Sequence, residues 1–188
     1  MEFYAMSWFD KLTVDCIHGD LLQADTETLA CNVNVMLNLN YSIGQQLLKR
    51  YGNSLAQELD IIRKRLPAQR LELGQALWVD NHAGKRPLIF FGWWDRDNDF
   101  TVRLIYTSFV NTLREAFAHD CRSIAFPLFG TGSGSMCFND FQESISKALQ
   151  ELNRLKGAHT FSVEEIVFFS TNKERIEPFS ATLDRILM

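Results

Sequence analysis

The chain has 188 residues, a length that fits one domain with a core of its own. Hydrophobic residues make up 46% of it and charged residues 22%, which excludes a disordered or fibrous protein. The net charge of −4 argues against general binding to nucleic acids or anionic membranes, because both require a basic face. A phosphorylated ligand would therefore have to be held by backbone N–H groups and not by a lysine cluster.

The sequence carries no membrane-spanning or targeting pattern. No apolar run approaches the ~18 residues of a membrane helix, and no basic segment precedes an apolar stretch at the N-terminus. We therefore expect a cytoplasmic protein. The four cysteines form no C-x-x-C pair and the four histidines lack metal-ligand spacing, so we expect reduced thiols, no bound metal and no cofactor.

Strand-like and helix-like patterns alternate along the chain. Residues 1–10 are predicted to form an aromatic-rich N-terminal arm on a single domain that spans residues 1–188. Strands are predicted within residues 12–22, 28–34, 73–79, 87–94, 124–129 and 165–171. Apolar stripes and capping residues predict helices that begin at Ser42, Ser54, Val102, Asn139 and Pro178. This alternation predicts an α/β fold, a three-layer α/β/α sandwich.

The most informative stretch is a glycine-rich loop between a buried strand and a helix. Residues 124–129 are almost entirely apolar, and the loop alternates glycines with hydroxyl residues: Gly130, Thr131, Gly132, Ser133, Gly134 and Ser135. Such a loop tolerates positive φ and leaves its backbone N–H groups free to converge on an anion. It predicts a phosphate cradle, and a tight turn without a ligand is the alternative.

Polar residues follow other predicted strands directly. Asp20 comes after the first strand, Asn32 and Asn34 end the second, and Asn172 follows the last. Asp20 is either a turn former or a hydrogen-bond acceptor for a ligand, and the two asparagines either hold a loop or face a ligand. Ligands in α/β folds gather beyond the C-terminal ends of the strands, so these residues could line one crevice with the glycine loop.

Two other features have competing interpretations. Trp93 and Trp94 end an apolar strand, which favours core packing or a lid over the crevice, with a self-association patch as the alternative. Cys137 follows the glycine loop, but no histidine is placed by the sequence to activate it as a nucleophile. We interpret it as an ordinary loop cysteine.

Four segments, taken in order, resemble the successive signatures of the macro domain family. They are Ile17-His18-Gly19-Asp20-Leu21, residues 29–34, Leu73-Gly74-Gln75-Ala76 and residues 124–135. The resemblance covers roughly residues 12–172, and its most specific part is Ile-Ala-Phe-Pro-Leu-Phe-Gly-Thr-Gly. It implies a sandwich built on a mixed sheet that recognises ADP-ribose and related nucleotides.

The resemblance also implies roles for individual residues. Asp20, followed by Leu21, would accept a hydrogen bond from the adenine amine, and Asn34 would lie beside the distal ribose. The loop from Gly130 to Ser135 would hold the diphosphate, and residues 168–172, which end in Asn172, would border the adenosine pocket.

The chain departs from the family pattern at two loops. The family's first loop is glycine-rich, whereas here it contains Asn40 and Tyr41, and Tyr41 would either close the distal pocket or stack on a different ligand. Hydrolytic members of one branch carry an acidic residue where this chain has Gly44. The aromatic residue usual in the diphosphate loop is replaced by Gly134.

Three functions are therefore open. The first is binding of ADP-ribose or a related nucleotide, free or attached to a protein, without turnover. The second is hydrolytic removal of ADP-ribose, for which Asp25, Asp95 and Asp99 are the candidate carboxylates. The third is a structural or partner-binding protein whose pocket Tyr41 fills. Asp20 and the glycine loop favour the first two, and Gly44 favours the first over the second.

Overall fold

The computed structural model describes residues 11–40, 43–80, 85–95, 101–131, 137–154 and 161–187. The strands are β1 (Thr13–His18), β2 (Thr28–Asn34), β3 (Ala76–Val79), β4 (Leu88–Trp94), β5 (Ser123–Pro127) and β6 (Glu165–Ser170). The helices are α1 (Ile43–Tyr51), α2 (Asn53–Arg65), α3 (Val102–Ala118), α4 (Phe138–Arg154) and α5 (Ile176–Leu187). Short 3₁₀ turns cover Leu21–Gln23, Pro67–Gln69 and Lys173–Arg175.

The strands form one mixed sheet in the order β1-β6-β5-β2-β4-β3. β1, β6, β5, β2 and β4 run parallel to their neighbours, and β3 pairs antiparallel with β4 at the edge. This confirms the predicted α/β fold around a mixed sheet. Because the parallel strands point the same way, their C-terminal ends meet at one edge of the sheet.

Helices cover both faces of the sheet. α3, α4 and α5 pack on one face through a core that contains Phe109, Phe126 and Phe168. α1 and α2 pack on the other face around Leu29 and Phe90. Successive residues of β2 and β4 enter opposite cores, which explains why their sequences are continuously apolar and not alternating.

Aromatic rings dominate the core on the α3–α5 side. Phe168 of β6 contacts Phe126, Phe141 and Phe179 with ring centroids 5.5, 6.2 and 4.9 Å away, and all four side chains are fully buried. Burying a phenylalanine contributes about 1.5–3 kcal/mol, so these contacts join the central strands firmly to α4 and α5. None of the helices in the described part of the chain is long and apolar enough to cross a membrane.

Several predicted strands are longer than the strands observed. The first is predicted within residues 12–22, but β1 ends at His18 and Leu21–Gln23 forms a separate 3₁₀ turn. The third begins only at Ala76, because Gly74 has a φ of 78° and turns the chain. The fifth ends at Pro127, from which the chain enters the turn at Gly130 with a φ of 76°.

Three predicted helix starts are wrong. Pro178 is the third residue of α5 and not the first, because the 3₁₀ turn Lys173–Arg175 runs directly into the helix. Asn139 lies inside α4, which begins at Phe138, whose ring packs against Phe179 of α5 at 6.2 Å. Ser54 is not a helix cap, because α2 begins at Asn53 and Ser54 Oγ donates to the Tyr51 carbonyl. The predicted arm and Ser42 lie outside the described residues.

Candidate functional site

A cavity of about 730 Å³ opens at the C-terminal edge of the sheet. Each of the five parallel strands contributes to its lining through the residues at its C-terminal end. The remaining walls come from the start of α1 and from the turn after β6. This volume lies within the range of about 300–1,000 Å³ that is typical of small-molecule sites.

Asp20 lies in the lining just after β1, as the sequence predicts. The residue is exposed, and its Oδ1 accepts a hydrogen bond from the Leu22 backbone N–H at 3.0 Å. Leu21 beside it is buried and also lines the cavity. The Gly19 N–H donates to the Ser170 carbonyl at 3.0 Å, which holds the ends of β1 and β6 together. Asp20 is therefore both a turn former and a cavity carboxylate, so the two interpretations are compatible.

The end of β2 places two amide side chains, Asn32 and Asn34, in the cavity wall. Asn34 Oδ1 accepts from the Met36 N–H at 2.7 Å, which fixes the chain as it leaves the strand. Asn38 also lines the cavity. Asn40 does not: it is exposed, and its carbonyl accepts from Gln45 Nε2 at 2.9 Å. Tyr41 lies outside the described residues.

The start of α1 lies very close to the loop before it. Gly44 is buried and lines the cavity, and a Cβ placed on it would meet the Leu39 Cα at 2.7 Å and the Leu39 carbonyl oxygen at 2.8 Å. Real Cβ atoms do not approach backbone so closely, so residue 44 has no room for a side chain without a backbone shift. Ile43 and Gln46 of the same helix contribute the rest of this wall.

The end of β4 provides two tryptophans with different environments. Trp93 is 5% exposed, lines the cavity and packs edge-on against Phe129 at 5.1 Å, so it is a wall of the site that is also part of the core. Trp94 is 39% exposed and also lines the cavity. Both positions agree with the predicted packing at the crevice.

The start of the glycine loop lies in the cavity wall. Gly130 and Thr131 line the cavity, and Thr131 is buried with its Oγ1 donating to the Leu128 carbonyl at 2.7 Å. Gly130 has a φ of 76°, and a Cβ there would lie 2.5 Å from Trp93 Cζ2. The loop therefore turns sharply against the indole. Gly132, Ser133, Gly134 and Ser135 lie outside the described residues.

The turn after β6 completes the lining with Asn172 and Arg175. Asn172 Oδ1 caps the 3₁₀ turn by accepting from the Glu174 N–H at 3.0 Å. Arg175 donates from Nη1 to Thr131 Oγ1 and so joins this turn to the glycine loop. Sequence reasoning missed Arg175, Asn38 and Gln46, and for Arg175 the one available signal was its position one turn after the end of a strand.

The candidate carboxylates for hydrolysis are not in the described lining. Asp25 is exposed to solvent and does not line the cavity. Asp95 does not line it either, and it accepts a hydrogen bond from Arg70. Asp99 lies outside the described residues. Among the lining residues that the structure describes, the carboxylate present is that of Asp20.

The cysteines also lack the features of a reactive nucleophile. Burial raises the pKa of Cys16, Cys31 and Cys121 to about 12, so these thiols stay protonated near neutral pH. Cys137 is exposed and is not among the residues that line the cavity. In the described part of the chain, no group of histidine, cysteine and acidic side chains is arranged to hold a metal ion.

Solved macrodomain structures have the same fold as this chain. A mutant macrodomain of Oceanobacillus iheyensis solved with ADPR superposes with a TM-score of 0.77 and 17% identity, over 95% of this chain and 96% of the other. The macrodomain of Mycobacterium tuberculosis DarG gives 0.66 and 22%, over 84% and 97%. A Trypanosoma brucei macrodomain in complex with ADP gives 0.71 and 12%, over 90% and 68%. The comparison with curated proteins gives no significant match.

A comparison with sequence families addresses the chain itself and not only its fold. The family described as Macro domain matches residues 30–152, which is well over half of the chain. The matched region runs from β2 almost to the end of α4 and includes the glycine loop. This chain therefore belongs to the macro domain family.

Proposed function

We propose that this protein binds ADP-ribose or a closely related adenine nucleotide in the cavity at the C-terminal edge of its sheet. The order of chemical groups along that edge carries the proposal. A carboxylate follows β1, a glycine turn follows β5, and an amide side chain ends β2. Because β1 and β2 are three strand positions apart, these groups extend over about 14 Å.

That sequence of groups matches the order of parts in ADP-ribose. Asp20 accepts a hydrogen bond from the adenine amine, as a carboxylate can accept and an amine must donate. The loop that starts at Gly130 and Thr131 and continues through Gly132, Ser133, Gly134 and Ser135 cradles the diphosphate. Asn34, with Asn32 beside it, hydrogen-bonds the distal ribose hydroxyls. Asn172, with Leu21, borders the adenosine end.

The ligands of related structures support the same proposal. The Oceanobacillus iheyensis macrodomain was solved with ADPR and the Trypanosoma brucei macrodomain in complex with ADP. Both ligands contain an adenosine joined to a diphosphate, which the carboxylate and the glycine turn of this cavity would recognise. ADP-ribose attached to a protein is the second ligand to test, because the same groups would recognise it.

Two observations favour binding over the alternatives. A cavity of about 730 Å³, lined by described residues, leaves room for a nucleotide at this edge. The contact between Gly44 and the Leu39 backbone argues against hydrolysis that relies on an acidic residue at the start of α1. Position 44 lacks both the carboxylate and the space for one.

Calorimetric titration and thermal shifts with ADP-ribose test the proposal. At about a hundred times its dissociation constant, a ligand stabilises the folded state by ~2.7 kcal/mol, which for a domain of this size raises Tm by roughly 5–10 °C. Asp20→Ala should weaken ADP-ribose binding roughly ten- to a hundredfold, since a charged acceptor for the base is lost.

Asp20→Asn is the matched control for folding. It keeps an oxygen for the Leu22 N–H but presents no negative charge to the adenine, so its stability should stay near that of the parent while its affinity falls. Unchanged affinity for ADP-ribose in both Asp20 variants would show that Asp20 does not bind the adenine. No response of the parent protein to ADP-ribose, ADP or AMP would refute the proposed function.

A further inference from the structure

The described cavity lining contains one cationic side chain, and neither the sequence patterns nor the family match singles it out. It is Arg175, at the end of the 3₁₀ turn that follows β6. The turn is fixed at its start by Asn172, and the Arg175 N–H donates to the Asn172 carbonyl at 3.3 Å. The position of this arginine is therefore set by the strand end and not by a free loop.

Arg175 contacts the start of the glycine loop and the first residue of α4. Its Nη1 donates to Thr131 Oγ1 on the near side, and its guanidinium lies over the Phe138 ring on the far side, 5.6 Å from the ring centroid. Thr131 is itself anchored to the Leu128 carbonyl, and Phe138 is the first residue of α4. One side chain thus connects β6, the start of the loop and the helix that follows it.

The charge of Arg175 is placed where a diphosphate would need it. A diphosphate brings negative charge into a wall whose described carboxylate, Asp20, has the same sign. Arginine stays protonated and offers five N–H donors in a plane, so the contact with Thr131 leaves donors for phosphate oxygens. Arg175 is half-buried, and reduced contact with water strengthens its electrostatic interactions.

We propose that Arg175 determines the phosphate selectivity of the site: it holds the cavity wall at Thr131 in place and supplies the countercharge for a diphosphate. This inference rests on the proposed function for the identity of the whole ligand. The diphosphate requirement itself can be tested without the adenine. Inorganic pyrophosphate carries the same charged groups and is therefore an independent probe.

Calorimetry with ADP-ribose, ADP, adenosine and pyrophosphate, on the parent protein, Arg175→Gln and Arg175→Lys, tests the inference. Arg175→Gln should weaken ADP-ribose and ADP roughly ten- to a hundredfold and abolish pyrophosphate binding, while adenosine changes less than about twofold. Arg175→Lys keeps the charge but not the planar donors, so it should recover part of the loss. The ADP-ribose affinity of Arg175→Gln should also depend less on salt than that of the parent.

Arg185→Gln is the matched control. Arg185 lies in α5, is exposed, and bonds to the Ala181 carbonyl and Thr182 Oγ1 of its own helix, so its loss removes the same charge away from the cavity. It should leave all four affinities unchanged. Circular dichroism melting of each variant separates lost binding from lost folding.

The outcomes distinguish this inference from the proposed function. If Arg175→Gln weakens adenosine as much as ADP-ribose, or weakens neither, Arg175 only supports the fold and the inference is wrong. If the parent binds pyrophosphate through Arg175 but no adenine nucleotide, the inference stands and the proposed function fails. If the parent binds none of the four ligands, both are overturned.

Discussion

At the scale of single residues, Gly130 has no room for a side chain beside Trp93. Gly130 combines a φ of 76° with a position where a Cβ would lie 2.5 Å from Trp93 Cζ2 and 3.0 Å from Cη2. The backbone conformation and the space both require glycine here. Trp93 is buried and packs edge-on against Phe129 at 5.1 Å, so moving it would disturb the core.

Gly130→Ala should therefore destabilise the protein and disturb the cavity wall. The positive φ costs about 1–2 kcal/mol for a residue with a Cβ. Overpacking against the indole adds about 1–3 kcal/mol. Urea denaturation measures the loss of stability, and tryptophan fluorescence reports any displacement of Trp93.

Gly52→Ala is the matched control for this change. Gly52 has a φ of 78°, almost that of Gly130, but a Cβ there meets nothing within 4 Å. Both variants carry the cost of a positive φ, and Gly52 adds a ψ of −175°, a region almost exclusive to glycine, so a larger loss of stability in Gly130→Ala is assigned to the contact with Trp93. A smaller loss than in Gly52→Ala, with unchanged tryptophan fluorescence, would mean that the contact does not matter.

At the scale of elements, the sequence predicts where strands and helices lie better than where they begin. The bounds of β2 are correct because an apolar run ends at two asparagines that leave the core. The start of α5 is wrong because the first four N–H groups of a helix need no intrahelical acceptor, so Pro178 is tolerated at its third position. The start of α4 depends on packing of Phe138 against α5, which local sequence does not encode.

The contact between the start of α1 and the loop after β2 bears directly on whether the site can hydrolyse a ligand. Gly44, in the first turn of α1, lies against the Leu39 backbone so closely that the helix and the preceding loop fit together only without a side chain. An acidic residue at this place would push the helix away from the loop. The packing of α1 against the preceding loop therefore excludes a carboxylate at position 44.

Gly44→Asp should consequently fail to create a hydrolase. The new Cβ forces the start of α1 off the loop, at a cost of about 1–3 kcal/mol, and misplaces the carboxylate relative to the cavity. Gly44→Ala introduces the same Cβ without the charge and should lose similar stability, which a thermal melt can compare. Release of ADP-ribose from a glutamate-linked substrate by Gly44→Asp, and not by Gly44→Ala or the parent, would contradict this prediction.

At the scale of the whole molecule, the parts of the site that the sequence predicts are those that adjoin a strand end in the chain. Asp20, Asn34 and Gly130 each follow a strand that the apolar pattern reveals, so the rule for parallel sheets brings them to one edge. Asn38 and Gln46 reach the cavity through the path of the chain after β2 and through the first turn of α1, and no local pattern marks them. Arg175 lies one turn beyond the end of β6, and the contact with Thr131 that joins it to the cavity wall is visible only in the structure.

The arrangement of the whole sheet predicts at which of its two edges a ligand binds. Five strands present their C-terminal ends to the cavity, while their N-terminal ends, at Thr13, Thr28, Leu88, Ser123 and Glu165, lie at the opposite edge.

Binding of ADP-ribose should therefore slow amide hydrogen exchange at the residues after β1, β2, β5 and β6, where local opening governs exchange at short times. The N-terminal ends of the same strands are an internal control and should exchange at unchanged rates over those times. Hydrogen exchange with mass spectrometry, with and without ADP-ribose, measures both edges in one experiment. Protection confined to the N-terminal edge, or to the outer faces of α2 and α3, would refute this site. A ligand bound at the C-terminal edge would have to protect the amides around Asp20, Asn34 and Thr131 before it could protect those distant segments.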